Sequence, residues 1–258
     1  VGILIKKLVD KYSLFLKLIQ IFFICALLPI PVLLYKYNET GNSYNLIFFS
    51  LFIIVLILYF LKNRMDKKVY DILLVQCDPK SYKEFQHLLS GKKKNNILYV
   101  QEEAVACYYL GEFSQSIKMF KFILPKYKTD KQKLFAYYWQ SLCYIFTQER
   151  ESFKYCLGEM ENILQSGKLK KSEQLDGQFL VNKLSLFNDI ILDKQDKQEA
   201  VENLTATNEL ALLEKSYLLG VNEWNQKHFE IADNYFTKII NAQNDIFYVK
   251  DAKSKISE

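Results

Sequence analysis

The chain has 258 residues and carries 34 Lys and Arg against 29 Asp and Glu, a formal net charge of +5. With acids spread among the lysines, that balance reads as a solvated surface and argues against a nucleic-acid-binding footprint. Only eight Gly and four Pro occur, which disfavours a turn-rich β fold and favours long helices.

A mean hydropathy near zero averages two unlike parts, an apolar first quarter and a polar remainder rich in Lys and Gln. The five cysteines (Cys25, Cys77, Cys107, Cys143 and Cys156) are dispersed and form no C-x-x-C pair. They read as small buried hydrophobes in a reducing compartment.

Residues 1–13 form a basic amphipathic lead-in. Two apolar runs follow, Leu14–Tyr35 and Leu46–Leu61. A helix rises about 1.5 Å per residue, so roughly 20 residues cross the ~30 Å hydrocarbon layer. The runs predict a transmembrane helical hairpin over 14–61, with helices near 14–35 and 45–62. Tyr44 and Lys62 extend the shorter run by sitting at the interface. A cleaved secretory leader fits less well, because the first run is long and no small-x-small site follows it. Pro29 and Pro31 predict a kink or an end to the first helix.

Lys6, Lys7, Lys11 and Lys17 outweigh Asp10 before the hairpin, and Lys62, Arg64, Lys67 and Lys68 outweigh Asp66 after it. The turn between them balances Lys36 with Glu39. The positive-inside tendency then puts both termini in the cytoplasm, most naturally at a bacterial inner membrane. Lys62, Arg64, Lys67 and Lys68 would also hold the following helix against an anionic leaflet, each contributing about 1 kcal/mol.

Residues 62–95 read as a juxtamembrane helix pair. The apolar stretch 69–75 continues the preceding helix, and Cys77-Asp78-Pro79 starts the next one with Asp78 as N-cap. Residues 96–258 read as a helical repeat domain. Its helices are predicted near 97–110, 114–126, 131–147, 150–165, 173–193, 197–205, 208–226 and 229–241, with a last short one near 245–255. Short connections make successive helices antiparallel neighbours.

A pattern recurs within this domain. Phe113-x-x-Ser116-x-x-x-Phe120-x-x-Ile123 returns as Phe153-x-x-Cys156-x-x-x-Met160-x-x-Ile163 and as Phe229-x-x-Ala232-x-x-x-Phe236-x-x-Ile239. These offsets lie on one helix face, and the small residue admits a close neighbour. The first helices add Ala104 with Gly111-Glu112-Phe113, Trp139-x-x-Leu142-Cys143-x-x-Phe146, and Leu219-Gly220 with Lys227 at the turn. Over residues 66–241 this resembles the tetratricopeptide repeat.

The spacings, 153 − 113 = 40 and 229 − 153 = 76, exceed the family period of about 34. They leave room for a degenerate unit with Phe187–Leu192 and Ala200–Leu204 as its apolar faces. The resemblance implies an all-α, right-handed solenoid of antiparallel helix pairs whose first helices line a concave wall. Tyr109, Tyr138, Ile145, Tyr217, Val221 and Trp224 are the expected lining, and a partner helix or extended peptide is the expected occupant.

His87 and His228 lie far apart, without companions at metal-ligand spacing. No phosphate-cradling, nucleophile-elbow or zincin motif occurs. The expectation is therefore no enzyme, no cofactor and no metal. The chain reads as a membrane-anchored, cytoplasm-facing scaffold or adaptor that works through protein–protein contacts. A second expectation is an accessory or immunity-type protein whose hairpin packs on a transporter or toxin, with the remaining helices as support.

Overall fold

A computed structural model describes residues 2–27, 43–92, 96–242 and 245–257. Among these residues every regular element is helical. The chain divides into two compact units, Val1–Asp71 and Ile72–Glu258.

The first unit holds α1 (Gly2–Leu27) and most of α2 (Ser43–Leu74). The basic lead-in is not a separate segment. No Gly or Pro separates it from the first apolar run, so α1 passes through position 13 unbroken. α2 likewise continues beyond the second run to Leu74, as the apolar stretch after Lys68 implied. Tyr12 donates its hydroxyl to Asp66 Oδ1 at 2.5 Å, and Lys62 Nζ sits 2.5 Å from Oδ2 of the same carboxylate.

Among the described residues no helix is long and apolar enough to cross a membrane. The transmembrane hairpin expected from the two runs is therefore not found there. α1 opens with Lys6, Lys7, Asp10 and Lys11, and α2 closes on a charged stretch from Lys62 to Asp71. The end of the first expected helix, with Pro29 and Pro31, and most of the expected turn lie outside the described residues. The apolar side chains that are described remain largely uncovered. Leu14, Leu18, Ile21 and Ile24 on α1, and Phe49, Phe52, Ile57 and Phe60 on α2, are all more than half exposed.

The second unit begins with α3 (Pro79–Lys92), where the Asp78 carboxylate accepts from Ser81 N–H at 2.9 Å as the expected N-cap. Next come α4 (Ile97–Leu110), α5 (Phe113–Ile123), α6 (Asp130–Phe146) and α7 (Arg150–Gln165). The latter part comprises α8 (Lys171–Phe187), α9 (Gln198–Glu202), α10 (Glu209–Asn225), α11 (Phe229–Ile240) and α12 (Phe247–Ile256). A 3-10 turn at Leu124–Lys126 replaces the expected end of α5, and a π turn at Asn188–Leu192 extends α8. Side-chain caps fix the starts of three inner helices: Asn96 on α4, Thr129 with Gln132 as a capping box on α6, and Asn208 on α10.

The same backbone device closes the first helix of each pair. Gly111, Gln148, Lys194 and Lys227 all adopt left-handed φ, between 53° and 80°. They stand just past α4, α6, the π extension of α8, and α10. After each of them the next N–H turns back on the helix just ended: Glu112 N bonds Cys107 O, Glu149 N bonds Tyr144 O, Gln195 N bonds Asp189 O, and His228 N bonds Glu223 O. The intervals are 148 − 111 = 37, 194 − 148 = 46 and 227 − 194 = 33 residues. Four pairs follow in sequence, α4–α5, α6–α7, α8–α9 and α10–α11, and the third covers the stretch expected as a degenerate unit, with Phe187, Ile190 and Val201 fully buried.

Consecutive helices of the second unit pack together except α8 and α9, and inner helices also touch across pairs: α4 with α6, α6 with α8, and α10 with the π turn. The last helix, α12, packs on α11 and α10 and reaches back to α4.

Candidate functional site

The inner helices bring aromatic residues to one place. Phe113 stacks on Phe146 with ring centres 5.3 Å apart, and Phe146 lies 4.6 Å from Phe247. Tyr108 lies 5.6 Å from Phe247, and Tyr217 lies 4.7 Å from Tyr248. Phe247 and Tyr248 belong to α12. The chain's own last helix meets the inner helices here. Gly111 permits that approach: a Cβ there would stand 3.0 Å from Phe247 Cβ, on a backbone already at φ 80°.

The six residues expected to line an open wall have little exposed surface. Tyr109, Tyr138, Ile145, Tyr217 and Val221 are buried, and Trp224 is half-buried. Three of them meet α12 directly. Tyr109 lies 6.4 Å from the Tyr248 ring, Tyr217 donates to Asp251 Oδ2 at 2.8 Å, and Lys255 Nζ sits 5.7 Å above the Trp224 ring. Tyr138 lies beside Lys183, and Ile145 and Val221 are ordinary core. Sequence reasoning placed these side chains on the inner helices and expected the short last helix near 245–255, but did not place that helix against them.

Beneath α12 lies a polar network that periodicity alone did not reveal. The hydroxyls of Tyr108 and Tyr248 are 2.9 Å apart, and Tyr248 donates to Glu214 Oε2 at 3.1 Å. Glu214 Oε1 is paired with the Lys183 ammonium. A reader of the sequence could have suspected Glu214, a carboxylate one turn before the apolar Tyr217–Leu219. The indole N–H of Trp139, also on an inner helix, is buried without a hydrogen-bond partner. At the other end of the inner helices, an apolar cavity of about 240 Å³ opens between Leu98, Phe135 and Leu180.

Burial pushes the phenols of Tyr108, Tyr109 and Tyr248 well above their ordinary value of 10, and the Glu214 carboxylate adds to the shift. Tyr217 is raised likewise by burial, then by Asp251. Tyr138 reaches about 12 through burial, partly opposed by the Lys183 ammonium. Burial alone would lower the Lys183 pKa, but Tyr138 and Glu214 hold it above the ordinary lysine value.

A phenol raised in the folded state contributes stability that is complete below the unfolded value of 10 and lost as pH climbs through the folded one. Helix content is thus expected to hold past pH 10. It should then collapse in one step together with a burst of phenolate absorbance, near or above pH 12. Complete phenolate formation with helices intact would contradict this packing.

Lys62, Arg64, Lys67 and Lys68 are all exposed on α2, with Lys62 engaged by Asp66. His87 faces Glu103 at 3.2 Å and His228 faces Glu223 at 2.9 Å, each as a single pair. Among the described residues no group of three or more His, Cys, Asp or Glu is placed to hold a metal ion.

The class defined by this geometry is an all-α protein whose helices pack together in a way compatible with a helical repeat. Comparisons with protein-family models, characterised proteins and solved structures find no match.

Proposed function

We propose that the chain is a membrane-attached scaffold of the tetratricopeptide kind, which binds a partner helix on the inner face of its second unit. The observation that carries this reading is the seating of α12: the inner face already holds a helix through aromatic packing and matched polar contacts.

The repeat positions support the family likeness. Ser116 Oγ donates to Ala104 O at 2.8 Å, so small residues bring α4 and α5 together. Ala232 and Phe236 are fully buried in α11, which packs on α10 at Gly220. Membrane attachment is supported by the two apolar runs, their uncovered side chains and the exposed basic cluster of α2. On this reading the flanking charges keep the second unit on the cytoplasmic side of a bacterial inner membrane. Tethering then raises the local concentration of a bound partner, with no chemistry required of this chain.

The test replaces residues 1–61 with an unrelated membrane anchor and crosslinks the tagged chain in its native membrane. The scaffold reading expects the same partner to be crosslinked from the second unit. Loss of that partner would overturn it and make the apolar runs themselves the working part, as in an accessory protein seated on a transporter or toxin. Retention of the unaltered chain in membranes after an alkaline carbonate wash is expected as well, and its release would remove the attachment.

A further inference from the structure

A permanent helical core is normally built from apolar residues, because buried ionic and hydroxyl groups are seldom the most stable filling. The floor beneath α12 departs from that. Tyr108, Tyr138, Lys183 and Glu214 lie there, and α12 meets this floor and the neighbouring Tyr217 with Tyr248 and Asp251. Such a surface accepts water when it is uncovered.

Its charges are also satisfied without α12. If α12 leaves, Glu214 loses the Tyr248 hydroxyl but keeps the Lys183 ammonium, and Lys183 keeps Tyr138. No buried charge is orphaned by the departure. The helix itself is short, and its outer face carries exposed Lys250 and Lys253. Its buried residues are gathered toward its start, at Phe247, Tyr248, Val249 and Ala252, and its last turn is largely exposed.

From this we infer that α12 is an exchangeable intramolecular ligand of the inner face. The external partner it stands in for is then an amphipathic helix bearing two adjacent aromatic residues followed, three residues on, by a carboxylate. The inference rests on the scaffold reading and names the partner class for that same face. In the resting chain α12 competes at high effective concentration, so a partner binds only in proportion to the fraction of open molecules.

The experiment uses the full chain in detergent micelles and a labelled peptide of residues 245–257. Hydrogen exchange is read first on the unaltered protein. The amides of α12 are expected to exchange at least about a hundredfold faster than those of α4 and α10, as a separate opening unit. The peptide is then titrated against the unaltered chain and against Asp251→Ala, which removes the contact to Tyr217 Oη together with the ion pair to Lys255 on the same helix.

Binding to the variant is expected to be about tenfold tighter, because its open fraction is larger. A peptide carrying Phe247→Ala and Tyr248→Ala is expected not to bind either protein. The inference is overturned if α12 exchanges only together with α4 and α10, or if neither protein takes up the peptide. In that case a partner still crosslinked elsewhere on the second unit leaves the scaffold reading in place. Exchange and peptide binding without any partner in the native membrane remove the scaffold reading and leave the exchangeable helix.

Discussion

Lys183→Met is expected to lower folding stability by about 3–5 kcal/mol, one of the two largest effects anticipated for a single side chain here. Glu214 is nearly buried, and its two carboxylate oxygens are divided between the Lys183 ammonium and the Tyr248 hydroxyl. Removing the ammonium leaves a carboxylate in a low-dielectric site with one neutral donor, which does not replace the lost solvation. Substituting both partners, Lys183→Met with Glu214→Leu, is expected to restore most of the loss, to within about 1 kcal/mol, because no charge is then stranded. Denaturant midpoints at matched slopes measure both quantities. Since the lysine pKa is raised in the fold, the difference between wild type and Lys183→Met should be constant through neutral and mildly alkaline solution. It should shrink only above the ordinary lysine value of 10.5. If the double variant is as unstable as the single, the pair is not what holds these helices.

The same network shows where reading the sequence stops. Helix periodicity reports which face of α10 is apolar, and Tyr217, Leu218 and Val221 are indeed buried. It cannot report that a carboxylate one turn earlier meets a lysine from α8, because that pairing depends on how the degenerate third unit is wound. The π turn at Asn188–Leu192 and the 46-residue interval around it carry no repeat signature, although Phe187 and Ile190 mark its buried face.

The second unit shows a milder discrepancy. Phe113 and Phe229 each stand two residues past a left-handed turn residue, but Phe153 stands 153 − 148 = 5 past Gln148. α7 has gained three residues at its start, nearly one turn, so the motif keeps its face while shifting roughly 4.5 Å along the axis. Caps, turns and most helix limits followed from local chemistry. α4 and α7 occupy the expected residues, and Asp78 caps α3 as read.

What local chemistry could not supply was the return of α12 to α4, a contact spanning 140 residues between Tyr108 and Tyr248. Ten residues with an apolar stripe specify that a helix will dock somewhere, and tertiary packing alone decides on what. The same limit applies to the candidate wall. Sequence spacing placed Tyr109, Tyr217 and Trp224 on the inner helices, and only the packed structure shows that α12 lies against them.

The close approach within the fourth pair gives the second large effect. Gly220 sits in α10 under the ring of Phe236 from α11, and a Cβ added there would lie 2.4 Å from Cε1 and 2.6 Å from Cδ1. Phe236 is fully buried, so its ring cannot swing away as an exposed side chain would. Gly220→Ala is therefore expected to destabilise by about 1–3 kcal/mol from overpacking, even though alanine is the better helix former by about 1 kcal/mol. Phe236→Ala is expected to cost about 3–5 kcal/mol through the cavity it leaves. The two losses should not add. With the ring gone, the new methyl group enters the space it vacated, and Gly220→Ala becomes neutral or mildly stabilising. The double-mutant cycle should return a coupling of about 1–3 kcal/mol in favour of the double variant. Simple additivity would mean that α10 and α11 are not in contact at this point, and that the small residue at position 220 owes nothing to helix approach. Because the repeat resemblance assigns the same role to Ala104 against α5, where Ser116 Oγ reaches Ala104 O, a coupled result at Gly220 would extend the reason for both small residues from sequence pattern to measured packing.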